Sequence, residues 1–309
     1  MPASVPLPVF THPACLAHDT GPGHAERPQR LQAVVDALRA QFDDLDWREA
    51  PRATRGQLLR VHSGELLHTV LETRPAERIH LDPDTVLSPE SAESALRTAG
   101  AAVAAVDCVL AGETRTAFCA VRPPGHHATA SQAMGFCLFN GVAVAAAHAL
   151  EHHGLARVSI VDFDVHHGNG TQAIFQSEPR VQYLSSHQMP LYPDTGHPDE
   201  RGVGNILNAA LAPGEGSEGF RATWRDRLLP AIEAFAPQLL LVSAGFDAHW
   251  RDPLAQVQLV ADDYAWLTGE LRTLAETHAQ GRLVSVLEGG YDLQALGECS
   301  VAHVAALRT

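Results

Sequence analysis

The chain has no lysine; all 22 of its basic residues are arginine, in keeping with an arginine- and alanine-rich composition. Against 36 acidic residues they leave a formal net charge of -14 with histidine neutral. A nucleic-acid binder needs a basic face, so that class is set aside. The charge leans toward cationic or neutral substrates, although net charge says little about any one cleft. Cysteine is scarce. Cys15, Cys108, Cys119, Cys137 and Cys299 include no CxxC pair, and their number is odd. That excludes a closed disulfide framework and fits reduced thiols in a cytoplasm. Long apolar runs are missing too, so no bilayer span is expected. Met1 to Phe10 has neither a basic n-region nor a long apolar core, and no signal peptide is expected there. Internal repeats and low-complexity linkers are also lacking, and residues 1–309 read as one domain.

What is present is a soluble globular mix in which short apolar runs alternate with alanine-rich helical stretches. Strands are expected at 117–121, 157–161, 181–184, 238–242 and 282–287. Their apolar runs are continuous, which implies burial on both faces, as in a parallel sheet. Helices are expected at 141–153, 221–234 and 262–275. Another should start with Ser88 as N-cap and Pro89 at its first position, and stop near Gly112. Glu26 to Leu31 reads as a further helix start, with Arg30 as a candidate buried, paired arginine. The alternation predicts an α/β fold: a doubly wound, mainly parallel β-sheet flanked by helices.

In such sheets the site forms beyond the carboxyl ends of the strands. Four polar motifs fall there: Arg122-Pro-Pro-Gly-His126-His127, Asp162-Phe-Asp164-Val-His166-His167-Gly-Asn169, Ser243-Ala-Gly-Phe-Asp247 and Glu288-Gly289-Gly290-Tyr291. Asp164 and His166 leave a strand end on the same side, and Asp247 can join them from a neighbouring strand. Three protein ligands with an open position are the pattern of catalytic zinc, although carboxylates with imidazole also suit iron. Alone, D-x-H is a common chance pattern; the other three motifs give it weight.

His126 and His127 would be surface loop histidines if isolated. Here Pro123, Pro124 and Gly125 fix the backbone before them, which favours a proton-carrying role. Asp162 and Asn169 are candidate partners for them. An aspartate should hold one imidazole cationic, and an asparagine should leave the other neutral. Tyr291 is either a packed turn residue or a phenolic donor to an oxyanion. Phe136 and Tyr192 are either core aromatics or walls of a narrow tunnel. His18 and His24 lie in a loop that can approach this rim. His12, His62, His68, His148, His152, His153, His249 and His278 get a plain structural reading, and His167 one of packing or support.

These stretches, with HAERPQRL at 24–31, DTVLSPES at 84–91, GFCLFN at 135–140 and YPDTG at 192–196, resemble the arginase/deacetylase superfamily. Within it the chain resembles the histone deacetylase family, and Asn169 and the ERPQRL opening look like class II and its bacterial relatives. The resemblance covers nearly the whole chain in family order. It implies an arginase/deacetylase fold and a zinc-dependent amidohydrolase acting on acetyl-lysine or a similar short acyl amide. It implies Asp164, His166 and Asp247 as zinc ligands. His126 and His127 become the paired catalytic histidines, His127 the general base and then acid, supported by Asp162 and Asn169. Tyr291 polarises the amide carbonyl. A structural potassium ion would use Asp162, Asp164, His166, Ser185 and Ser186. Phe136 and Tyr192, with Gly135, Leu254 and Gly289, would contact substrate, and Arg30 matches an arginine beside an internal acetate channel.

Two other functions compete. An acetylpolyamine amidohydrolase shares every motif, but specialised polyamine enzymes select the distal ammonium with a rim glutamate, and the matching position is Leu254. A non-catalytic acyl-lysine binder would need a broken ligand set or a lost tyrosine, and neither is present. An arginase-like dimanganese hydrolase would need two ligand sets where the sequence shows one. The substrate side is therefore an acyl-lysine peptide or protein or a small acylated amine. The sequence is silent on oligomeric state.

Overall fold

Strands buried on both faces need neighbours on both sides, and the structure supplies them. In this computed structural model, which describes residues 6–308, the strands are β1 Pro8–Thr11, β2 Asp46–Glu49, β3 Ile79–His80, β4 Val86–Leu87, β5 Thr116–Cys119, β6 Val158–Asp162, β7 Val181–Gln188, β8 Ile206–Leu211, β9 Leu239–Ala244 and β10 Leu283–Leu287. Residues 1–5 and 309, the ends of the expected domain and half of the Met1–Phe10 segment, lie outside the described residues. Eight strands form one sheet in the order β2-β1-β5-β10-β9-β6-β7-β8, and every pairing in it is parallel. β3 and β4 make a separate antiparallel ribbon.

The helices are α1 Ala14–Ala17, α2 Pro28–Gln41, α3 Arg55–Leu58, α4 Gly64–Glu72, α5 Ser91–Leu110, α6 Gly141–Glu151, α7 Asn169–Phe175, α8 Ser217–Thr223, α9 Leu229–Phe235, α10 Ala261–His278 and α11 Leu293–Arg308. α5 and α6 pack on each other and against the sheet. α2, α11 and α10 pack in series. The central strands are mainly apolar and fully covered: Ile160, Val161, Leu240, Leu241 and Val284 have no exposed surface. Each such side chain contributes roughly 1.5–3 kcal/mol of burial. Among the described residues no helix is long and apolar enough to cross a membrane.

Three sequence expectations need correction. The helix expected from Ser88 starts at Ser91, with Glu90 as its N-cap. Ser88 is drawn into a buried network instead: its hydroxyl accepts the Asp19 N–H and meets the Ser91 hydroxyl. The helix expected over 221–234 is two helices joined by a single wide turn at Trp224–Leu228. Pro230 has no N–H to offer one turn back, so the ladder shifts and the Leu229 N–H reaches the Trp224 carbonyl. The strand at 181–184 continues to Gln188. β2 and β8 gave no apolar signal because they are the sheet's two edges, and β2 (DWRE) is partly wet.

Candidate active site

Because all strands of the sheet run one way, their carboxyl ends form one rim. β5, β10, β9 and β6 are consecutive neighbours, and the four polar motifs follow those four strands. The fold thus gathers residues that are up to 165 positions apart in the chain (Tyr291 and His126).

Asp164, His166 and Asp247 converge there, all buried, with one ligand atom of each within 4.8 Å of the others. His166 Nδ1 lies 3.2 Å from Asp164 Oδ1 and 3.2 Å from Asp247 Oδ2. Backbone donors aim both carboxylates: the Gly289 N–H donates to Asp164 Oδ2 at 2.8 Å, and the Val165 N–H to Asp247 Oδ1 at 2.8 Å. A Cβ on Gly289 would sit 2.1 Å from Asp247 Oδ2, so only glycine lets the 288–291 loop approach. Burial alone would push the His166 imidazole down, but the two carboxylates carry it up to about 10. Among the described residues the ion pairs of Asp164 and Asp247 run only to histidines. Two buried carboxylates and an imidazole, with no arginine to neutralise them, fit a divalent zinc or iron ion.

The adjacent histidines differ. His126 Nδ1 donates to Asp162 Oδ2 at 3.0 Å, and His127 Nδ1 meets Asn169 Oδ1 at 2.8 Å. Burial would lower His126, yet the charges of Asp164 and Asp162 raise it well above the ordinary value. His127 goes the other way, lowered by burial and then by the positive charge of His126 and His166. The two imidazoles are thus driven in opposite directions, with their ring centres 4.0 Å apart.

Glu288, which the sequence places at the rim without a role, acts on the backbone of the histidine loop. Its Oε2 accepts the Gly125 N–H at 2.6 Å and the His126 N–H at 3.1 Å, so it fixes the histidine loop from below. Burial raises its carboxyl to about 7. The sequence signal was there: an acid at the end of an apolar strand, directly before two glycines.

A cavity of about 240 Å³ opens above these groups. Gly135, Phe136, Tyr192 and Leu254 line it together with His127, His166 and Tyr291. Asp84 and Leu191 also line it, and the sequence reading had named neither for this site. Gly289, expected as a substrate contact, is not among the lining residues; its N–H is spent on Asp164. Gly135 and Phe136 both take left-handed backbone (φ +56° and +67°). A Cβ at Gly135 would lie 2.5 Å from His127 Cδ2. Tyr192 is 40% exposed and marks the mouth.

The Tyr291 phenol is raised by burial and stays a donor. Arg30 lies over its ring, 4.8 Å from the centroid, and donates to the carbonyls of Gly290 and Glu288 at 2.5 Å each. Arg30 is buried and paired with Glu26. The Tyr291 N–H donates to Asp252 Oδ2 at 2.7 Å. His24 meets the edge of Phe136 at 4.8 Å and so reaches the rim, while His18 turns inward to Ser91. His167 bonds to Thr195 and Gln172, away from the cavity. Asp162 and Ser185 sit opposite each other in the β6–β7 register, but the Ser186 hydroxyl takes the Trp224 indole N–H.

Over residues 24–307 the chain matches the histone deacetylase domain family. The chain belongs to the histone deacetylase family. It is 42% identical to a "Histone deacetylase-like amidohydrolase" of Pseudomonas aeruginosa, over 96% of this chain and 85% of that one. It is 39% identical to human "Polyamine deacetylase HDAC10", over 88% of this chain and 43% of that one. A crystal structure titled HDA15 HD domain superposes with a TM-score of 0.93 at 33% identity, covering 99% of this chain and 89% of that one. Membership makes this chain a hydrolase of the deacetylase and amidohydrolase type, on a mainly parallel sheet flanked by helices.

Proposed function

We propose that this deacetylase-family chain removes acetyl or other short acyl groups from the ε-amino group of acyl-lysine, with zinc as its metal. The observation that carries the reading is the unlike histidine pair, His126 against Asp162 and raised, His127 against Asn169 and lowered, beside the Asp164–His166–Asp247 set at the base of a narrow cavity.

Asp164, His166 and Asp247 would hold the zinc, which when bound polarises the amide carbonyl and acidifies a water. His127 has Nδ1 turned to Asn169, so Nε2 is free to take the proton of the attacking water. The same nitrogen then gives it to the leaving amine. His126 stays cationic against Asp162 and stabilises the negative charge that develops. The Tyr291 hydroxyl donates to the carbonyl oxygen as it gains charge. Phe136 and Tyr192 grip the methylene stem of the acyl-lysine, with Gly135 leaving room for His127. A structural potassium ion near Asp162 and Ser185 is part of the same proposal, supported by their facing positions in the register. We take residues 1–309 to act as one catalytic domain, and the five unpaired, buried cysteines to suit a reducing cytoplasm.

The second reading, an acetylpolyamine amidohydrolase, draws support from Asp84 on the cavity lining and from the relative named a polyamine deacetylase. Leu254 favours acyl-lysine, because the position puts a methyl-rich surface where a cation selector would stand. Comparing kcat/KM for an acetyl-lysine peptide and acetylputrescine, with zinc restored, tests the proposal. The peptide is expected to win. A higher value for acetylputrescine transfers the assignment to polyamines, and turnover of neither removes it.

A further inference from the structure

Away from the cavity, three histidines and one carboxylate come together on the outer end of α6. His148 lies buried in the last turn of α6, His152 caps it, and His153 follows. The rings of His148 and His152 stack at 4.8 Å and 19°, and the His153 ring lies 5.2 and 4.9 Å from them. One ligand atom of each histidine lies within 4.8 Å of the others. From α5, Asp107 Oδ1 accepts the Nε2–H of both His148 and His153 at 2.7 Å. The sequence does not display this grouping, because Asp107 is 41 residues from His148 in the chain.

We propose that His148, His152 and His153, with Asp107, form a second metal site for a borderline divalent ion such as zinc, cobalt(II) or nickel(II). The residue types suit such ions: neutral imidazoles with one carboxylate. The i, i+4 spacing puts His148 and His152 on one helix face. Two imidazole N–H groups already share one carboxylate oxygen, so the nitrogens and the oxygen point at a common place. To ligate through Nε2, His148 and His153 each move the Nε2 proton to Nδ1 through water, with no net proton released. His148 meets an obstacle in this step. The Arg60 guanidinium donates to His148 Nδ1 at 2.8 Å and holds the tautomer whose Nε2 carries the proton. Arg60 is exposed and free to turn to solvent, so it competes with the metal without barring it. This site does not depend on the proposed reaction, and its ligands are separate from the Asp164 set.

The test uses tag-free protein with its catalytic metal loaded. Calorimetric titration with zinc alone is expected to show one further equivalent per chain, and cobalt(II) to give visible absorption from nitrogen ligation. His152→Ala/His153→Ala, at exposed and half-buried positions, is expected to weaken that equivalent at least tenfold while kcat is unchanged. His153→Gln keeps a donor for Asp107 and is expected to weaken it as well. Arg60→Ala is expected to tighten it, because the competing donor is gone. Asp247→Ala is expected to retain it, which separates this site from the catalytic one. A titration with no equivalent beyond the catalytic one, or one whose affinity the histidine variants leave unchanged, overturns the proposal.

Discussion

Glu26 and Arg122 form a two-pronged ion pair in the interior: Nε to Oε1 and Nη2 to Oε2, both at 2.7 Å. The pair joins the loop before α2 to the first residue of the Pro-Pro-Gly-His-His segment. Arg122 also donates to the carbonyls of Cys15 and His18, so the segment that presents His126 is tied to the N-terminal region.

That pair sets an acid limit on stability. Burial alone would raise the Glu26 carboxyl, but Arg122 and then Arg30 hold it at about 2 against an ordinary 4.5. The folded state prefers the ionised form, so its contribution is present above the ordinary value and is lost as pH falls through about 2. At neutral pH the shift corresponds to roughly 3 kcal/mol. Glu26→Gln strands Arg122 in the interior and is expected to cost about 3–5 kcal/mol in urea unfolding at pH 7. A variant as stable as the parent would refute the assignment.

Tyr291→Phe deletes the donor to the developing oxyanion. A loss of ~10²–10³ in kcat is expected, with KM nearly unchanged. Steady-state kinetics on an acetyl-lysine peptide decide it; near-normal turnover rules the role out.

Asp247→Ala removes one of two carboxylates that hold His166. Elemental analysis after dialysis is expected to show the catalytic equivalent of zinc gone, and retention of that equivalent counts against the ligand set.

Asn169→Asp places a carboxylate where a neutral oxygen now lies 2.8 Å from His127 Nδ1. The new charge raises the His127 pKa, and His127 serves as base only when neutral. The acid limb of kcat/KM against pH is therefore expected to move up by about 1–3 units. An unmoved limb excludes His127 as the group that titrates.

Leu254→Glu puts an anion on the cavity lining. The ratio of kcat/KM for acetylputrescine over acetyl-lysine peptide is expected to rise at least tenfold, since a hydrogen bond to a charged group contributes about 1.5–3 kcal/mol. No change in the ratio means that this position does not face the distal end of the substrate.

The central strands were legible because they are buried on both faces and carry unbroken apolar runs. The edges left no trace: β2 (DWRE) is polar and partly wet, and Asn208 interrupts the short run of β8 (ILNAAL). The role of Glu288, as distinct from its place at the rim, was not legible for another reason. Its work is done through backbone N–H groups of Gly125 and His126, and a sequence does not display which backbone a side chain will meet.

By itself the sequence determined the alternation of strand and helix, the chemistry available at each strand end, and the family to which those motifs belong. Apolar periodicity and local turn residues act over a few positions, and both survive in one dimension. Only the tertiary structure decided that β5, β10, β9 and β6 are neighbours, which brings Asp247 to His166. It decided also that the charges of Asp164 and Asp162 raise His126, while burial and the charges of His126 and His166 lower His127. Field strength and burial depend on distances between residues far apart in the chain. The same holds for His148, His152 and His153, which read as unremarkable until α5 brings Asp107 beside them.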